Sequence, residues 1–217
     1  MLTTLLRATL STAAYLTLAA AVVAGPQPQT EPAMLPDAGQ HLSVATFGLG
    51  CYWCAESDFD KVPGVVDTTS GFMGGRLANP TYDAVALGDT GHVEVVRVTF
   101  DPAKISYRDL VEYYWHHTDV LDGRGQFCDR GPTYRPVIFT TDAEQERIAK
   151  ESKAALDASH RFKRPIAVSI EPASQFWPGP PEHQNFHVTH AFRYTYYRYG
   201  CGRDQRLRQL WGSNAGT

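Results

Sequence analysis

Cysteine is scarce in this chain: four residues in 217, too few to build a fold from disulfides. They read as chemistry rather than scaffold. Charge of either sign is also sparing. Twenty Lys and Arg against 23 Asp and Glu leave a formal charge of −3, so composition gives no support to nucleic-acid binding. No repeat or low-complexity block follows residue 42, and 43% hydrophobic residues with 18 Gly and 14 Pro set disorder, collagen and coiled coil aside for the bulk of the chain. What remains is a globular chain long enough to bury roughly 70% of its unfolded surface in one core.

The first 24 residues stand apart. Arg7 supplies one positive charge, and residues 8–25 carry no charged side chain. Val22 and Ala24 fit the small-residue positions of a signal-peptidase site, so the expectation is a signal peptide over 1–24, cleaved after Ala24. The competing reading is an uncleaved membrane anchor through residues 8–25. Residues 25–42, with Pro26, Pro28, Pro32 and Pro36, read as a linker, followed by one domain over 43–212 and a tail over 213–217. An exported, periplasmic protein is expected, in a compartment where disulfides persist.

From residue 43 the pattern alternates. Strands are predicted over 43–49, 65–73, 92–100, 135–140 and 165–171, and helices over 55–61, 79–87, from Ser106, and over 143–159. Pro172, Pro178, Pro180 and Pro181 predict irregular chain until a polar helix over 204–210. The pattern predicts one α/β or α+β layered domain with a long irregular C-terminal wrap.

Two motifs carry chemistry. In Phe47-Gly48-Leu49-Gly50-Cys51-Tyr52-Trp53-Cys54, a strand runs through glycines into a cysteine at a helix start. Free backbone N–H groups and the positive helix end would favour a thiolate at Cys51. Cys54 lies one helical turn on, within reach for a disulfide. A static disulfide and a zinc half-site are the plainer readings, although no second CxxC exists to complete the latter. The second motif is Gly88-Asp89-Thr90-Gly91-His92-Val93-Glu94. Counting by twos, Glu94 shares a strand face with Val96, Val98 and Phe100, where burial would keep its carboxyl protonated as a general acid requires. A strand-end glutamate that reaches solvent is the alternative.

These two motifs, together with Asn79-Pro80-Thr81-Tyr82, Gly125-Gln126-Phe127-Cys128-Asp129-Arg130-Gly131, Tyr134 and the closing Cys201-Gly202-Arg203-Asp204-Gln205-Arg206-Leu207, resemble A-type peptide methionine sulfoxide reductases over roughly residues 43–212. The resemblance implies an α+β fold, a two-layer sandwich with a ferredoxin-like core and a wrapped C-terminal segment. It also implies reduction of the S epimer of methionine sulfoxide, free or in proteins. No metal or organic cofactor would be needed, and electrons would come from thioredoxin or a thioredoxin-like donor. Carried over by position, Cys51 matches the nucleophile and Glu94 the acid that protonates the sulfoxide oxygen. Tyr82 and Tyr134 match phenols that bond that oxygen, and Asp129 matches a carboxylate that orders the site through water. Tyr52 and Trp53 match the wall receiving the substrate's S-methyl group. A second thiol must then condense with the Cys51 sulfenic acid. Cys54 is the expected resolver, with Cys201 the alternative and a Cys128–Cys201 bridge possible beside it.

Departures from the family pattern are few. Tyr52 stands where phenylalanine is usual, and Phe186 where a tyrosine is usual, which leaves Tyr194 as the expected C-terminal phenol near the site. His183, His187 and His190 follow i, i+4, i+7 spacing but have no cysteine partner nearby, so a metal site there is disfavoured. A thiol–disulfide oxidoreductase is the runner-up function, and a Cys/His metal-binding module a third.

Overall fold

A computed structural model describes residues 41–216. The expected signal peptide and nearly all of the linker therefore lie outside the described residues. Within them the chain runs β1 (Ser43–Gly48), α1 (Tyr52–Phe59), β2 (Val65–Met73), α2 (Tyr82–Ala86), β3 (Val93–Phe100), α3 (Tyr107–His116), β4 (Gly125–Gln126), β5 (Asp129–Arg130), β6 (Val137–Thr140), α4 (Ala143–Ala158), β7 (Ser169–Pro172), β8 (Trp177–Pro178), α5 (Phe186–Thr189), α6 (Ala191–Gly200) and α7 (Arg203–Trp211).

Six strands form one sheet in the order β7-β6-β1-β3-β2-β8, and β4 pairs with β5 in a separate small hairpin. Every pair is antiparallel except β6 with β7. The elements β1-α1-β2-β3-α3-β6, with sheet order β6-β1-β3-β2, make the ferredoxin-like core. Its strands are rich in β-branched residues, and β3 is buried on both faces. On one face Phe47, Val96, Val98 and Ile138 meet Phe59 of α1, Leu110 and Tyr114 of α3, Ala149 of α4, and Leu207 and Trp211 of α7. On the other, Val93, Val95, Val137 and Phe139 pack under Phe176.

Local chemistry sets the helix limits. Ser106 and Asp109 form a reciprocal capping box at α3, and the Asp142 side chain caps α4 by accepting from the Gln145 N–H. Several limits shift by up to three residues, as in the helix expected over 55–61 that runs Tyr52–Phe59 and the one over 79–87 that runs Tyr82–Ala86, and two differences are larger. The strand expected from residue 165 begins at Ser169, because Ile166 and Val168 enter the helix-side core before pairing starts. The irregular stretch expected between the prolines and the tail holds two helices, α5 and α6. Pro172, Pro178, Pro180 and Pro181 end before residue 186, and the aromatic run that follows contains no further proline to stop a helix. Tyr194 then packs with Phe186 against Cys54 of α1. The wrap thus crosses one sheet face at Phe176, extends the sheet edge at Trp177, and returns to the opposite face through α7.

Candidate active site

Gly50 makes the turn that presents Cys51. Its φ is +93°, and a Cβ there would lie 2.6 Å from Cβ of Gln126, so glycine is required both for conformation and for space. Cys51 is the N-cap of α1. The first free helix N–H, that of Tyr52, donates to Glu94 Oε2 at 3.0 Å. The helix start therefore serves the carboxyl of Glu94.

That detail corrects the expectation for the Cys51 thiol. Burial raises its pKa well above the usual value, and the neighbouring Cys54, Glu94 and Asp129 push the same way. Cys54 moves in the opposite direction: the Cys51 thiol supports its charge by hydrogen bonding, and the Arg203 and Arg198 guanidiniums add to this against the cost of burial. Burial and the nearby carboxyls thus favour the protonated thiol at Cys51, while the two guanidiniums favour the thiolate at Cys54. Both are free thiols and both are buried.

Glu94 on β3 is 2% exposed, and its carboxyl is pushed up to about 8 by burial, with Asp129 and Cys54 adding to the rise against the Tyr52 N–H. It is neutral at pH 7. A cavity of about 70 Å³ brings it together with Cys51, Tyr52, Trp53, Tyr82, Asp129, Tyr134 and Tyr197. Tyr82 opens α2, whose cap is Thr81, and Tyr134 ends a short helical turn over Pro132–Tyr134. Thr133 Oγ1 donates to the Val85 carbonyl at 2.9 Å and fastens the two phenol-bearing segments together. Burial raises the phenols of Tyr82 (to about 12), Tyr134 and Tyr52, so each remains a proton donor.

Asp129 sits on the β4–β5 hairpin, which buried Gln126 anchors by accepting from the Asp119 N–H and donating to the Asp119, Asp122 and Gly125 carbonyls. Its carboxylate accepts from Tyr197 Oη at 2.6 Å, and burial raises its pKa. Beside it, Cys128 and Cys201 form a disulfide. Both sulfurs lie 3.8 Å from an Asp129 oxygen. The bridge ties the hairpin to the end of α6.

Tyr194 does not line the cavity. It packs on Cys54 and Phe186, and its place at the cavity is taken by Tyr197, one turn on. The sequence pattern does not single out Tyr197, because it predicts irregular chain where α6 lies, and helical spacing is what separates the two phenols. The three histidines go to different partners: His183 Nδ1 is hydrogen-bonded to Tyr52 Oη at 2.5 Å, His187 pairs with Asp60 at 3.2 Å, and His190 stacks on Phe186. The Tyr52 hydroxyl that departs from the family pattern is thus bonded away from the cavity. Phe186 stacks on Trp53 with ring centres 3.8 Å apart, so the residue lacking a hydroxyl supports the cavity wall from behind.

Comparison with known proteins agrees with this geometry. The sequence model of the family described as peptide methionine sulfoxide reductase matches residues 43–215. The chain is 47% identical over 172 residues to a peptide methionine sulfoxide reductase MsrA of Listeria monocytogenes, covering 79% of this chain and 97% of that protein. It is 41% identical over 191 residues to a peptide methionine sulfoxide reductase MsrA/MsrB of Vibrio cholerae, covering 88% of this chain and half the length of that protein. Among solved structures, methionine sulfoxide reductase A of Corynebacterium diphtheriae superposes with a TM-score of 0.62 at 32% identity, over 70% of this chain and 77% of that one. The family match spans the described domain, and a cysteine, a buried neutral carboxyl and four phenols surround one small cavity: the chain belongs to the peptide methionine sulfoxide reductase family.

Proposed function

We propose that the chain reduces the S epimer of methionine sulfoxide, in exported proteins or free, with Cys51 as nucleophile, Glu94 as general acid and Cys54 as resolving thiol. One observation carries the assignment of roles: a buried carboxyl that is neutral at pH 7 and a cysteine line the same small cavity. A sulfoxide is a poor electrophile until its oxygen is protonated, so a proton donor and a sulfur nucleophile must act together. Tyr82 and Tyr134 donate to the sulfoxide oxygen, and Tyr52 with Trp53 walls the S-methyl group.

The steps balance without a cofactor. Cys51 passes its proton to Cys54 and attacks the sulfoxide sulfur. A bond forms between the Cys51 and substrate sulfurs, Glu94 protonates the oxygen, and the hydroxyl then passes to the Cys51 sulfur as both the sulfur–oxygen bond and the sulfur–sulfur bond break, leaving a Cys51 sulfenic acid and methionine. Cys54 then attacks the Cys51 sulfur. Its proton leaves with the hydroxyl as water, and a Cys51–Cys54 disulfide remains. A thioredoxin-like dithiol returns both thiols by exchange. Asp129, held by Tyr197, orders the polar side of the cavity. The exported, periplasmic location rests on Arg7, the uncharged run over 8–25 and the small residues Val22 and Ala24. N-terminal sequencing of the native protein tests it, with Gly25 expected first and Met1 pointing to an anchor instead.

The test of function is dithiothreitol-driven reduction of separated methionine sulfoxide epimers. Turnover of the S epimer alone is expected. Reduction of the R epimer alone, or turnover only on protein disulfides, would overturn the reading.

A further inference from the structure

Two arginines lie where the reaction scheme above has no use for them. Arg203, at the start of α7, is 1% exposed and among the largest fully buried side chains of the described residues. Its guanidinium donates to the Leu49 carbonyl at 3.1 Å and to the His117 carbonyl at 3.0 Å. Its Nε has no hydrogen-bond acceptor, and the nearest carboxylate oxygen, Asp58 Oδ2, lies 3.6 Å away. Arg198 of α6 donates to Asp58 Oδ1 at 2.7 Å and to the Tyr194 hydroxyl at 3.0 Å, and also pairs with half-exposed Asp204. Asp58 is 2% exposed and stands one helical turn after Cys54 on α1. Tyr194 packs directly on Cys54. Burying two guanidiniums is costly unless each is paired, yet here they share one buried carboxylate. Arg198 divides its fork between Asp58 and half-exposed Asp204, which leaves the buried Arg203 charge with one carboxylate oxygen, 3.6 Å away on the turn of α1 that follows Cys54.

We propose that Arg198 and Arg203 hold Cys54 as the attacking thiolate of the resolving step. They are positioning residues, acting through charge on a thiol rather than on substrate. The groups that face Cys54 are consistent with this role. Cys51 donates toward it, Tyr194 and Tyr197 of α6 are neutral phenols, and Glu94 of β3 is a neutral carboxyl. Asp58 opposes the charge, and Arg198 holds it by hydrogen bond while Arg203 stands 3.6 Å from its other oxygen. A thiol as buried as Cys54, at 2% exposed, would otherwise remain protonated and attack the sulfenic acid slowly. The Leu49 carbonyl bond also places Arg203 under the turn that carries Cys51, so one side chain serves the positions of both sulfurs.

The proposal rests on Cys54 being the resolver, and the test separates the two. In Cys51→Ser protein with the Cys128–Cys201 bridge intact, Cys54 is the only free thiol, and serine keeps a hydrogen-bond donor at position 51. Its ultraviolet thiolate absorbance is titrated against a Cys51→Ser/Cys54→Ser control. Adding Arg198→Met is expected to raise the midpoint by about one pH unit, with Arg198→Lys restoring it. Asp204→Asn, which frees Arg198 of its outer partner, is expected to lower it. In the full enzyme, Arg198→Met should slow closure of the Cys51–Cys54 disulfide at pH 7, by at most about tenfold for a one-unit rise, with Arg198→Lys restoring it. A midpoint unmoved by Arg198→Met, or raised by Asp204→Asn, would overturn the arginine proposal while leaving the resolver in place. Absence of any Cys51–Cys54 disulfide after one turnover would instead overturn the resolver.

Discussion

The molecule holds two cysteine pairs, and they are built for different work. Cys51 and Cys54 are free, buried within the first turn of α1, and surrounded by groups that split their proton affinities. Cys128 and Cys201 are joined across 73 residues, at the rim, with Asp129 between them and the cavity. The inner pair sits three residues apart, so its ring closes with little entropy to lose and little stability to gain. The outer pair closes a long loop and pins two segments that share no strand. The inner pair has the chemistry, and the outer pair has the architecture. The contrast shows that spacing alone does not assign a cysteine its role. The charges and donors around the sulfur do.

The contrast can be broken in several places. Cys51→Ser has the largest expected effect, loss of methionine formation to background, because no other nucleophile lines the cavity. Retention of a tenth of the parent rate would refute the assignment. Cys54→Ser should permit one methionine per enzyme and then stop when a thioredoxin-like donor is the only reductant, whereas Cys128→Ser/Cys201→Ser should keep turning over. Equal behaviour of the two variants would erase the distinction.

Glu94→Gln is expected to slow the first turnover by 10² to 10⁴, since it keeps the shape and the Tyr52 N–H bond but has no proton to give. The sign of the pH dependence follows from the raised carboxyl. The acid is protonated below about pH 8 and lost above it, so the parent rate should fall as pH rises through 8. In Glu94→Gln that descent should vanish. Tyr82→Phe and Tyr134→Phe remove single neutral donors, each worth about 1 kcal/mol, so a loss of about fivefold each is expected in first-turnover rate. The smallest catalytic effect belongs to Cys128→Ser/Cys201→Ser. Its cost should be in stability, about 2–4 kcal/mol by denaturant titration, with the first-turnover rate close to the parent.

Much of this was legible in sequence because local rules and burial agreed. The strand over Val65–Met73 and the capped helix after Ser106 needed only β-branched runs and a capping box. The placing of Glu94 on the apolar face with Val96 and Val98 needed only strand alternation, and the raised carboxyl followed from that burial. The C-terminal wrap was less legible. α6 has tyrosines on several sides, and its helix exists because Tyr194 docks on Cys54 and Tyr197 reaches Asp129. Those contacts lie more than 65 residues away in sequence, beyond any local pattern. The direction of the Cys51 and Cys54 thiols was hidden for the same reason. A helix start predicts a lowered thiol, but the Tyr52 N–H serves Glu94, and the cations that act on Cys54 come from α6 and α7.

The division of labour between the two pairs is tested most directly by one experiment. Reduced Cys51 and Cys54, with the Cys128–Cys201 bridge intact, are given one equivalent of the S epimer of methionine sulfoxide and no reductant. The protein is then quenched with a thiol-blocking reagent and its disulfides mapped by mass spectrometry. The account predicts one methionine released, a Cys51–Cys54 link formed, and the Cys128–Cys201 link unchanged. A dominant Cys51–Cys201 link, with Cys128 released as a free thiol, would contradict it.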